Sequence, residues 1–341
     1  MGELVLTKQA STALTKQVSI AQAKILKELL ADGRQSDGEI AKKIGETKES
    51  VRKNFVKMEE MGIITGATIH INYKIFGYKS VVHMLINGES KQEAQLVEYL
   101  KKMPETYTFY SRKVKGNLDA IITIKTLEQL NDIKDAIKRR FSILEMKTAI
   151  WTDVREMNHN LEIIGSKEKN DEAAINYQVN VHRSNPQPMI LDEIDKKIAD
   201  KLAKNGRLSI KTLAREIGLS YGIAKRRFEK LKKNGVLKVT IQVNPNKIGY
   251  RALCVFFTVT SQENLFSIIE KIGVIPDIIS IMKTTGDYDL QIYAMVKDLD
   301  QLLSLQEAFG EIPGIIKIDA EILPLDKWQK WPSPRQCIST F

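Results

Sequence analysis

Cysteine is scarce in this sequence: Cys254 and Cys337 are the only two in 341 residues. That number excludes a disulfide framework, and their separation excludes a four-ligand zinc site, so a reducing interior is expected. Histidine is nearly as rare, and His70, His83, His159 and His182 are scattered along the chain. There is no His-Glu-x-x-His, no Gly-rich phosphate loop ending in Gly-Lys-Ser/Thr and no Cys-x-x-Cys. Metal-assisted hydrolysis, nucleotide hydrolysis and dithiol exchange therefore lack their usual carriers, and no cofactor or metal is implied. Long apolar runs are missing too. The longest, around Ala252 to Val259, is far short of the ~20 residues that span a bilayer. Met1 is followed by Gly-Glu-Leu rather than by a basic segment and an apolar core, so no secretory signal is expected. These absences point to a non-enzymatic cytoplasmic protein without a membrane partner.

What is present is ordinary in amount and unusual in arrangement. A length of 341 residues suggests two or more domains at roughly 150 residues each. With 43% hydrophobic and 28% charged residues the chain is not disordered. Its 52 Lys and Arg against 42 Asp and Glu leave a net charge of +10, which permits a polyanionic partner without requiring one.

The chain repeats itself. Gly33 to Gly62 laid over Gly206 to Gly235, without gaps, match at nine of 30 positions. Gly33/Gly206, Arg34/Arg207, Ser36/Ser209, Ala41/Ala214 and Ile44/Ile217 are among these. Gly45/Gly218, Phe55/Phe228, Lys57/Lys230 and Gly62/Gly235 complete them. After one slipped residue, Phe76-Gly77-Tyr78 meets Ile248-Gly249-Tyr250, and Gly116-Asn117-Leu118-Asp119 falls opposite Gly286-Asp287-Tyr288-Asp289. Self-similarity over such a span reads as two copies of one two-domain unit.

The first part of each copy has helical periodicity. In the second copy Ile190 to Ala203 is amphipathic, Ser209 can cap a helix that stops at Gly218, and Ser220 can cap a third. Ala224, Phe228 and Leu231 then face inward, as do Val51, Phe55 and Met58 in the first copy. Each third helix ends at a glycine before a β-rich stretch, so a strand pair and a winged helix-turn-helix are expected. The second part of each copy reads as strand, helix, strand, strand, helix, strand, which predicts a ferredoxin-like sandwich. The fold class is α+β: winged helix-turn-helix domains at 18–73 and 189–245 alternate with sandwich domains at 74–152 and 246–324. A linker at 153–188 and a tail at 325–341 complete the division.

The string Leu191-Asp192-Glu193-Ile194-Asp195, Asn205-Gly206-Arg207-Leu208-Ser209 and Leu213 to Ser220 resembles the Lrp/AsnC family of transcription regulators. Arg226-Arg227-Phe228, Leu231, Gly235-Val236-Leu237 and Thr285 to Asp289 extend the resemblance. The first copy departs from the pattern, lacking the leading Leu-Asp and carrying Glu46 where the pattern has Leu. The resemblance implies double-stranded DNA as partner and pairing through the sandwich domain. In a tandem chain the latter implies an intrachain pseudo-dimer and further homo-oligomerisation.

In the second copy the outward positions near the start of the third helix are Tyr221, Gly222, Lys225 and Arg226, with Arg227 and Lys230 nearby. The window 209–238 holds nine basic and two acidic residues, whereas 36–65 holds six of each. Phosphate neutralisation supplies most non-specific affinity, so the second copy is expected to bind DNA more strongly. The first copy offers Lys48, Arg52 and Lys53, opposed by Glu46 and Glu49. A basic helix can equally be a solvated face. Gly222 weakens a helix, and either close DNA backbone approach or a frayed first turn accounts for it.

The resemblance also implies an amino-acid effector near the turn between the second and third sandwich strands. Gly286, Asp287 and Asp289 are then candidates, with Gly116, Asn117 and Asp119 as a diverged counterpart, although turn chemistry alone accounts for Gly-Asp and Gly-Asn. Sirohaem decarboxylases resemble the same two-domain unit in paired copies. Such an enzyme needs His and Arg gathered at an anionic tetrapyrrole, and the sandwich segments hold only His83. A small-molecule sensor without DNA binding is the remaining alternative.

Overall fold

The computed structural model describes residues 18–71, 73–111, 117–156, 161, 163, 191–261 and 265–325. Three helices open each half: α1 (Ile20–Ala31), α2 (Asp37–Ile44) and α3 (Lys48–Glu60), then α6 (Glu193–Lys204), α7 (Ile210–Ile217) and α8 (Tyr221–Lys233). Each start is fixed by a side-chain oxygen that satisfies an otherwise orphan backbone N–H. Ser36 accepts from Glu39 and Ser209 from Thr212, while Thr47 and Ser220 do the same for α3 and α8. Between second and third helix the chain must reverse sharply. Gly45 and Gly218, at φ 73° and 72°, make that left-handed turn at no steric cost.

After each third helix comes a single strand, β1 (Ile64–Ile71) or β6 (Leu237–Val243). The expected strand pair within each winged unit is not what forms. β1 and β6 instead pair antiparallel with each other, Thr68 opposite Thr240, into a two-stranded sheet shared by the halves. Hydrophobic period fixes which face of a strand is buried but not which strand it joins.

The second parts follow the expected order. In the first half they are β2 (Ser80–Gly88), α4 (Glu93–Lys102), β3 (Thr106–Ser111), β4 (Asn117–Ile124), α5 (Leu127–Arg140) and β5 (Ile143–Glu156). In the second they are β7 (Ala252–Thr260), α9 (Leu265–Gly273), β8 (Ile278–Thr285), β9 (Leu290–Val296), α10 (Leu299–Gly310) and β10 (Ile315–Pro324). The strands form one eight-stranded sheet in the order β10-β7-β9-β8-β5-β2-β4-β3. Its seam is β5 against β8, Ile150 opposite Thr285. β5 runs on to Glu156, past residue 152 and into the segment expected as a linker. The remainder of that linker, apart from Leu161 and Ile163, and the tail beyond Leu325 lie outside the described residues, with His159, His182, Trp328, Trp331 and Cys337.

Each sandwich has its own helix-facing core, around Phe256 and Phe309 in one and Leu96, Leu100 and Ile137 in the other. The opposite sheet faces are apolar as well. Val81, Ile121 and Trp151 of the first half and Val255, Phe257 and Tyr293 of the second join one cluster, which continues through both helical units. β4 and β9 are buried along nearly their whole length instead of alternating, since both of their faces are covered.

Candidate nucleic-acid interface

α8 buries Ala224, Phe228 and Leu231 and turns its other faces to solvent. Tyr221 is 53% exposed at the first turn, beside exposed Gly222, Lys225 and Arg226. Lys230 and Lys233 continue the same exposed surface. Lys225, Arg226, Lys230 and Lys233 have no ion-pair partner among the described residues. A Cβ built on Gly222 meets nothing within 4 Å, so no packing inside the chain demands glycine there. Ile223 is also exposed, an apolar group among these cations that charge pattern alone does not mark.

Arg227 is placed differently. Its guanidinium donates to Asp192 at 2.6 Å and Asp195 at 2.9 Å, across to the start of α6. These bonds raise its pKa further, and Asp192 is held below the usual carboxylate range by the Asp195 backbone N–H and by Arg227. Arg227 thus fastens α8 to α6, and its charge is already matched within the chain.

On α3 the cations Lys48, Arg52, Lys53 and Lys57 are exposed too, but acids interrupt them. A shallow groove there is lined by Asp37, Glu49 and Glu60 as well as by Lys48, Arg52, Lys53 and Lys57. Along their lengths α8 carries six basic residues against one acidic, and α3 four against three.

The two helical units are joined by a reciprocal clamp at the Gly-Arg pairs that marked the repeat. Arg34 donates to the carbonyls of Gly206 at 2.9 Å and Leu208 at 2.6 Å, and lies 4.7 Å over the Phe228 ring beneath α8. Arg207 donates to the Gly33 carbonyl at 2.7 Å and lies 4.8 Å over Phe55 beneath α3. Burial lowers the pKa of both guanidinium groups. Gly33 and Gly206 donate to Val239 and Ala67 of the other half's strand. Nothing in the charge pattern singled out these four residues, although their identity between copies did mark them.

At the sandwich turns the candidate effector residues separate. Gly286 has φ 133°, and Gly286 and Asp287 are exposed. Asp289 is engaged within its own sheet, its carboxylate accepting from the Thr260 backbone N–H at 2.7 Å. Gly116 lies outside the described residues, and Asn117 opens β4 opposite Asn87. Asp119 is not the counterpart of Asp289. The shared spacing that aligns Ser80 with Ala252 and Ile124 with Val296 aligns Asp119 with Gln291. A two-residue slip keeps every side chain on the same sheet face, so the apolar pattern could not reveal it.

Asp119 and Gln291 are bridged in the interior by His83. His83 Nε2 lies 2.9 Å from Asp119 Oδ1, its Nδ1 faces Gln291 Nε2, and Trp151 Nε1 donates to Gln291 Oε1 at 2.7 Å. His83, Asp119 and Gln291 are each at most 1% exposed. Burial pushes the Cys254 thiol up to about 12. Among the described residues no group of three or more His, Cys, Asp or Glu could hold a metal, and no helix is long and apolar enough to cross a membrane.

Comparison with known proteins agrees with this layout. Residues 191–232 match the AsnC-type helix-turn-helix domain, 253–323 the Lrp/AsnC ligand binding domain, and 20–65 a winged helix-turn-helix DNA-binding family. The chain is 31% identical over 127 residues to the HTH-type transcriptional regulator FL11 of Pyrococcus furiosus, covering 37% of this chain and 84% of that protein. It is 28% identical to the HTH-type transcriptional regulator LrpA of Pyrococcus abyssi, over 39% of this chain and 96% of that one. Among solved structures, the siroheme decarboxylase NirDL superposes with a TM-score of 0.58 over 89% of this chain and 90% of its own, at 14% identity. That likeness is one of fold.

Proposed function

Because the chain belongs to the Lrp/AsnC family of transcription regulators, we propose that this DNA-binding regulator reads the major groove chiefly with the first turns of α8. The observation that carries the assignment is the run of exposed, unmatched Lys225, Arg226, Lys230 and Lys233 on a helix fixed after the Gly218 turn. In such an arrangement residues at the helix start face base edges and flanking cations face phosphates. Arg226 can reach a guanine edge bidentately, and Ile223 can contact a thymine methyl. Lys48, Arg52 and Lys53 on α3 form the weaker counterpart. The sandwich domains pair the halves, and further chains associate through their sheets.

An amino-acid effector is proposed at the β8–β9 turn, on exposed Gly286 and Asp287, with Asp289 shaping that turn and Asn117 standing at the corresponding β3–β4 turn of the first half. Asp119 is excluded as a direct contact by its burial against His83. Calorimetric titration with the twenty amino acids tests this, and Asp287→Ala should abolish any binding seen.

The tetrapyrrole reading draws on the whole-chain fold likeness to a siroheme decarboxylase. Against it, His83 has both ring nitrogens occupied in a closed interior. Absorbance titration with an iron-porphyrin carrying acidic side chains should show no saturable shift. For DNA binding the experiment is a gel shift on random and upstream duplexes across salt concentration. Arg226→Ala should cost about 1–3 kcal/mol on the preferred site, and Lys53→Ala less. Equal losses would refute the assignment to α8.

A further inference from the structure

A two-fold dimer of identical subunits presents two identical readers, and operator palindromy follows from that symmetry. This chain presents two readers that are not identical. They are related across the Thr68–Thr240 pair, where β1 meets β6, and are held together by Arg34 and Arg207. By the repeat, Lys48 stands where α8 has Tyr221, and Glu49 stands at the place of Gly222. A carboxylate therefore occupies the first turn of α3, where α8 exposes bare backbone. Facing a groove, a carboxylate accepts from cytosine N4 and repels phosphate, whereas an open glycine lets the backbone approach. Glu60 and Asp37 oppose phosphate along the rest of the α3 groove.

Resting on the DNA-binding reading above, we propose that one chain binds a non-palindromic DNA site in a single orientation. The half under α8 carries most of the sequence information and phosphate neutralisation. The half under α3 is contacted weakly, and the helical unit of the first copy acts there mainly as a strut that sets the position of α8. A regulator of this kind distinguishes the two directions along a duplex, as a symmetric dimer does not.

The test is selection from random duplexes with the full chain, followed by affinity measurement on the enriched site with either half scrambled. The expected site has no internal dyad. Scrambling one half should lower affinity about 100-fold, and scrambling the other less than about threefold. Arg226→Ala should flatten the base preference in the strong half, and Lys53→Ala only that in the weak half. A palindromic site with equal losses from both halves would overturn directionality and leave DNA binding standing. Flattening of the strong half by Lys53→Ala would overturn the assigned orientation. Failure to enrich any sequence, with no salt-dependent shift, would remove the DNA-binding reading and the proposal with it.

Discussion

At the scale of single residues, positive charge alone does not mark a DNA contact, and half-buried Arg227 shows why. Arg227 is expected beside the outward Arg226 as a further DNA contact, yet its guanidinium is matched by Asp192 and Asp195. Arg227→Ala is expected to lower thermal stability and leave the salt dependence of DNA binding unchanged. Lys225→Ala should leave the melting temperature alone and reduce the log-log salt slope by about one. The Arg227 clamp also carries a pH sign. The Asp192 pKa is depressed, first by the Asp195 backbone N–H and then by Arg227, so its contribution is present above the ordinary carboxylate range. That contribution fades as pH falls through the lowered value, and Arg227→Ala should flatten the acid limb of a stability–pH curve. Gly222 separates stability from function in the opposite sense. Because a Cβ there meets nothing, Gly222→Ala should raise stability by up to about 0.5 kcal/mol. If DNA backbone approaches this turn, the same substitution weakens binding, and unchanged affinity would assign the glycine to a frayed helix start.

At the scale of elements, helices were legible because their signals are local. Ser19, Ser36, Ser209 and Ser220 cap where a serine precedes an amphipathic run, and Gly45 and Gly218 stop the helices that they follow. The pairing of β1 with β6 was not legible, since both strands lie far apart in sequence and neither names its partner. Close backbone approach at that crossing makes a sharp prediction. A Cβ on Gly33 would lie 2.8 Å from the Thr240 carbonyl carbon, and one on Gly206 2.6 Å from the Thr68 oxygen. Both neighbours are backbone and cannot step aside. Gly33→Ala and Gly206→Ala should each cost about 2–4 kcal/mol in denaturant unfolding. Gly38→Ala, in open space at the start of α2, should cost nothing. Arg34→Ala removes two hydrogen bonds to carbonyls and the support under Phe228, at about 2–3 kcal/mol. It should also weaken DNA binding without altering the salt slope, because Arg34 supports α8 and touches no phosphate.

At the scale of the whole molecule, a hydrogen-bond chain across the sandwich interior ties the halves into one folding unit. The indole N–H of Trp151 can only donate, so the Gln291 carbonyl must face it and the Gln291 amide N–H must face His83. Nδ1 of His83 is then an acceptor, and its proton sits on Nε2, aimed at Asp119. The chain runs one way, from Trp151 through Gln291 and His83 to Asp119, with Gln291 alone drawn from the second half. In the sequence His83 is one of four scattered histidines, and its partners, 36 and 208 positions away, carry no spacing signature. Gln291→Leu keeps the volume but leaves the Trp151 donor and the His83 acceptor buried and unpaired. Two such groups cost about 2–4 kcal/mol together. The site belongs to neither half alone, and one apolar cluster spans both helical units and both inner sheet faces. Calorimetry should therefore record one transition, moved down as a whole, with van't Hoff and calorimetric enthalpies still in agreement. A scan that splits, with one half melting at its wild-type temperature, would mean that the halves fold independently and that the interior chain does not couple them.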